Sequence, residues 1–73
     1  MSKKMSQIFK DQYGLSIYIT ADENSYDILW SNGTQDIYGN PNTTEYNFMT
    51  AVNKVRSMGF VLSPQGVPRV EES

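Results

Sequence analysis

Phe48, Met49, Val52 and Val55 recur at offsets 0, 1, 4 and 7, with Ala51 and Met58 on the margin. That spacing draws a single apolar stripe along a helix over residues 43–58. Asn47, Thr50, Asn53, Lys54, Arg56 and Ser57 fall on the other side. Both ends are marked. Asn42 is the expected N-cap, and Glu45, three residues on, is placed to close a capping box. Gly59 suits the left-handed C′ position, with Phe60 folding back onto Val55. A helix with one apolar stripe is stable when another element covers that stripe, so the rest of the chain has to supply the cover.

The cover reads as a sheet. Residues 15–21 alternate, with Leu15, Ile17 and Ile19 against Ser16, Tyr18 and Thr20, as a half-buried strand does. Asp22-Glu23-Asn24-Ser25 is a polar turn. Residues 26–31 form a second strand, and Asn32-Gly33 is the signature of a two-residue type I′ hairpin leading to a third strand over 34–38. A two-residue tip sets Ile28 opposite Ile37 and Asp27 opposite Tyr38. A four-residue first turn sets Ile19 opposite Ile28 and Ile17 opposite Trp30. One face then collects Leu15, Ile17, Ile19, Tyr26, Ile28, Trp30 and Ile37, ready for the helix.

The flanking segments carry weaker signals. Met5, Ile8, Phe9, Gln12 and Tyr13 recur at helical spacing, which predicts a short amphipathic helix over 2–13. An irregular arm or an edge strand around 7–10 is the alternative. Residues 60–63 form a short apolar run suited to a fourth strand, ended by Pro64-Gln65-Gly66-Val67-Pro68. Residues 69–73 read as a frayed tail. The expected architecture is a small α+β domain: a three-stranded antiparallel meander, with or without a fourth short strand, packed on one main helix. Residues 1–13 form a helix or arm, 14–63 the core, and 64–73 a flexible tail. The order helix, three strands, helix resembles that of the double-stranded-RNA-binding domain. That family places a basic cluster at the start of its last helix. The matching segment here, Asn42-Thr43-Thr44-Glu45-Tyr46-Asn47, has no base. The resemblance is one of element order, and it implies no RNA binding.

Composition narrows the function. With 73 residues and no cysteine, the chain has no disulfide, thiolate metal site or cysteine nucleophile. It also has no histidine, the commonest general base and zinc ligand. A chain this short buries only about 60% of its unfolded surface, so a homodimer would be a simple way to add buried area. The net charge of −2 argues against affinity built on phosphate neutralisation. No apolar run approaches the roughly 20 residues of a membrane span, and Lys3 and Lys4 precede no apolar signal core. The expectation is a complete small cytoplasmic gene product. Asn42-Thr43-Thr44 matches a glycosylation sequon, which has no meaning in that setting.

The candidate site is the open face of the meander. It presents Tyr18, Leu29 and Tyr38 among Asp27, Asp36 and Thr20, more apolar surface than solubility asks for. Asp27 and Asp36 on one face would lie about 7–8 Å apart, loose for a shared metal, and an open sheet offers no pocket for acid–base chemistry. No catalytic residues, metal or cofactor are expected. The reading is a non-enzymatic protein-binding module. A small chain without catalytic chemistry fits a phage or mobile-element inhibitor of a host protein. Two alternatives stay open: a single-stranded nucleic-acid binder stacking bases on the same tyrosines, and a homo-oligomer that sequesters a small ligand.

Overall fold

The computed structural model describes residues 2–72; Met1 and Ser73, at the ends of the expected arm and tail, lie outside them. The elements run β1 (Lys3–Lys10), β2 (Ser16–Ala21), β3 (Ser25–Leu29), β4 (Gln35–Gly39), α1 (Thr44–Ser57) and β5 (Ser63–Glu72). All five strands join one sheet in the order β4-β3-β2-β1-β5, every pair antiparallel. The fold class is α+β as expected, with five strands rather than three or four.

Residues 3–10 are a strand, not a helix, and it lies inside the sheet rather than at its edge. Met5, Gln7 and Phe9 take the helix side; Lys4, Ser6, Ile8 and Lys10 take the other. Gln7 breaks the apolar alternation, which is why helical spacing fits the segment better on paper. Its side chain has a structural use: Nε2 donates to the Gly66 carbonyl at 2.7 Å. That contact sits at a bulge in β5, where the register with β1 shifts between Ser6 and Ile8 and Gly66 adopts φ +79°. The segment 64–68 therefore bends the last strand without ending it, and the expected tail is strand as far as Glu72. With no N-terminal helix, the resemblance in element order to the double-stranded-RNA-binding domain disappears.

The hairpins decide which side chains meet the helix. Ile19 pairs with Ile28 as the first turn predicts. The second hairpin differs by one residue. Trp30 donates to the Thr34 carbonyl, Gly33 donates back to Trp30, and Gly33 has φ +90° while no described non-glycine residue has positive φ. The loop is thus three residues, Ser31-Asn32-Gly33, a turn closed by a glycine bulge, and not a type I′ pair. Ile28 lies opposite Asp36, Asp27 opposite Ile37, and Tyr26 opposite Tyr38. A one-residue slip exchanges the two faces of β4.

The helix lies over β1, β2 and β3. Its buried stripe is Thr44, Asn47, Phe48, Ala51, Val52 and Val55, while Met49 and Met58 stay exposed. Asn47, expected on the outer side, is fully buried. The N-cap is Thr43, whose hydroxyl accepts from the Tyr46 N–H at 3.1 Å. Asn42 instead accepts from the Thr43 N–H, and Glu45 pairs with Lys3 rather than closing a capping box. Gly59 takes the left-handed position at φ +99°, and Phe60 packs on Trp30, with ring centroids 5.5 Å apart.

Candidate binding face

With the helix on one side of the sheet, the other side carries no covering element among the described residues. Alternation along β1, β2 and β3 sends Ile8, Tyr18 and Leu29 to that open side. The register then sets them abreast, Ile8 opposite Tyr18 and Tyr18 opposite Leu29. Direct neighbours of this kind have Cβ atoms about 4.5–5.5 Å apart, so the three form one apolar row. They are 47%, 38% and 37% exposed. Ile37 adds a more exposed apolar side chain diagonal to Leu29, at 67%. The row borders a depression of about 260 Å³ lined by Ile8, Ser16, Tyr18, Leu29, Trp30 and Ser31.

Polar residues surround the row. Lys4, Lys10, Arg69 and Glu71 lie on the same face by their register in β1 and β5. Thr20 sits between Ser6 and Asp27, and Asp27 accepts from Gln35 Nε2 at 3.0 Å. An apolar centre with a charged and hydrogen-bonding rim is the common layout of a protein-docking patch.

Four of the six residues predicted for this face are therefore on it: Tyr18, Leu29, Asp27 and Thr20. Tyr38 and Asp36 are not. Tyr38 stacks on Tyr26 on the helix side, centroids 5.2 Å apart, with Lys54 Nζ 4.5 Å from its ring centroid. Asp36 accepts from the indole Nε1 of Trp30 at 2.9 Å. Asp27 and Asp36 thus point to opposite faces of the sheet and form no joint site. Ile8 and Ile37 are the residues that sequence reasoning missed, the first because β1 read as helix, the second because of the slipped register. The signal for Ile8 was the even-numbered set Lys4, Ser6, Ile8 and Lys10, whose polar ends already mark a solvent-facing side.

Among the described residues, no three acidic side chains come together, and no helix is long and apolar enough to cross a membrane. The chain matches no protein-family model, and comparison with curated proteins and with solved structures gives no significant match.

Proposed function

We propose that this protein is a non-enzymatic protein-binding module that docks its partner on the open face of the sheet. The observation that carries the reading is the row Ile8–Tyr18–Leu29, three large side chains held abreast where nothing among the described residues covers them. Tyrosine suits such a surface because it contributes area at low entropic cost and keeps a polar tip. The displacement of Tyr38 leaves one aromatic ring on the strands of this face. Base stacking along a single strand needs several such platforms, so the nucleic-acid alternative loses its main support.

The test is capture from native lysate by the full chain and by a triple variant, Ile8→Ser, Tyr18→Ser and Leu29→Ser. The expected result is a discrete protein retained by the parent chain at moderate salt and lost by the variant, with the far-ultraviolet spectra superimposable. Equal capture by both chains overturns the proposed face. Retained material that absorbs as nucleic acid and washes off with salt overturns the protein-binding reading.

A further inference from the structure

β5 is a ten-residue edge strand, exposed along its whole length. The hydrogen-bonding pattern tells which of its backbone groups face outward. Asp11 donates its N–H to the Leu15 carbonyl, so Asp11 and, alternating back from it, Phe9, Gln7 and Met5 direct their backbone groups at β2. Lys4, Ser6, Ile8 and Lys10 then direct theirs at β5, onto Glu71, Arg69, Gln65 and Ser63. Pro64, Pro68, Val70 and Glu72 are left pointing away from the sheet. The two prolines carry no N–H, which blunts the first half of this edge. Val70 and Glu72 keep both donor and acceptor.

From this arrangement we infer that β5 pairs antiparallel with β5 of a second copy about a two-fold axis at Val70, joining two sheets into one. The register is self-complementary. Val70 faces Val70 of the partner subunit, and each donates to the other's carbonyl. Glu72 donates to the carbonyl of the partner's Pro68, the one ladder role a proline can fill. Arg69 faces Glu71 of the partner subunit, and Glu71 faces the partner's Arg69. Lys4, opposite Glu71 within the chain, extends the alternation of sign across the seam. Other two-fold registers fail on the same residues. A centre at Glu71 sets two glutamates opposite each other, a centre at Arg69 two arginines, and a centre at Pro68 has no N–H to donate. Within one chain, Arg69 Nε already lies 2.9 Å from Glu71 Oε2, so both side chains extend on the same face beside the seam. The inference does not rest on the open-face reading: the row Ile8–Tyr18–Leu29 plays no part in it.

The experiment is sedimentation velocity on the full chain over a concentration series, with circular dichroism to verify folding. The parent chain is expected to move reversibly from 8.3 kDa toward twice that mass. Arg69→Glu alone and Glu71→Arg alone each set like charges opposite at both symmetry-related positions, and each is expected to weaken association about tenfold. The double variant Arg69→Glu with Glu71→Arg restores opposite charges and is expected to recover the parent's association. Val70→Pro places a proline at one more outward position, where Pro64 and Pro68 are already tolerated, and is expected to fold but remain monomeric. A parent chain that stays monomeric at all concentrations overturns the inference. So does a double variant as weak as the singles. Association lost in the Ile8, Tyr18, Leu29 triple variant but kept in the β5 variants also overturns it, by moving the contact to the open face.

Discussion

Asn47 donates from Nδ2 to the carbonyl of Asp22 at 2.8 Å, tying the first turn of the helix to the β2–β3 turn. The same amide donates to the Asn40 carbonyl, and its Oδ1 accepts from Asn40 Nδ2. The next two carbonyls of that turn are held as well: Glu23 accepts from the Asn42 N–H and Asn24 from the Asn40 N–H. Three successive carbonyls of one turn are thus satisfied by the segment leading into the helix and by its first turn. A buried carboxamide with every partner in place fixes the rotation of the helix on the sheet, because any other rotation leaves several buried polar groups unpaired.

Replacing that amide should be costly. Asn47→Ala removes three hydrogen bonds and strands their partners, and about 2–4 kcal/mol of stability should be lost in urea denaturation. Asn53→Ala, on the exposed side of the same helix, should change stability by no more than about 0.5 kcal/mol. Equal effects at the two positions would show that the Asn47 network does not hold the helix.

The face assignment of β4 can be read from a pair of neighbours. Tyr38 packs on Tyr26 and under Lys54, whereas Ile37 is largely in solvent. Tyr38→Ala should destabilise by about 1–3 kcal/mol. Ile37→Ser should cost about 0.5 kcal/mol or less, because little apolar surface is buried there. The opposite ranking would restore the two-residue hairpin register.

Gly33 closes the β3–β4 loop at φ +90°, a conformation that a Cβ disfavours. No atom lies near the place where a Cβ would be added, so the cost of a substitution is conformational and not steric crowding. Gly33→Ala should lower stability by about 1–2 kcal/mol. Asn32, with negative φ, should accept alanine with a loss limited to the hydrogen bond its Oδ1 takes from the Thr34 N–H. The measurement is the denaturation midpoint of each variant.

The ion pair between Lys3 and Glu45 joins β1 to the first turn of the helix. The hydrogen bond from Lys3 holds the Glu45 carboxyl below its ordinary value, helped by a backbone hydrogen bond, and the same contact raises the Lys3 ammonium. A lowered carboxylate stabilises the fold above its unfolded value, and that contribution fades as pH falls through the folded value. A raised ammonium stabilises below its unfolded value and fades as pH rises through the folded one. Lys3→Met should therefore be less stable than the parent chain around neutrality. The difference should close in acid below the folded value of Glu45, and again in alkali above that of Lys3. Solvent screening keeps it small. Parallel stability-versus-pH curves for the two chains would rule the pair out as a contributor.

The parts legible in the sequence were those governed by local periodicity and by glycine or polar turn chemistry. The helix follows from Phe48, Val52 and Val55, its stop from Gly59, and the pairing of Ile19 with Ile28 from the Asp22–Ser25 turn. These depend on neighbours a few residues apart, which one chain displays directly. The rest depended on partners far along the chain. Gln7 belongs in a strand because Gly66, fifty-nine residues on, needs its amide. Asn47 belongs in the core because Asp22 and Asn40 offer it hydrogen bonds there. Asn32-Gly33 permits both a two- and a three-residue loop. Tertiary packing chose the second, since it packs a half-buried Tyr38 against Tyr26 and leaves Ile37 outside. With side chains alternating at a period of two, that single residue decided which face of β4 meets the helix and which stays open.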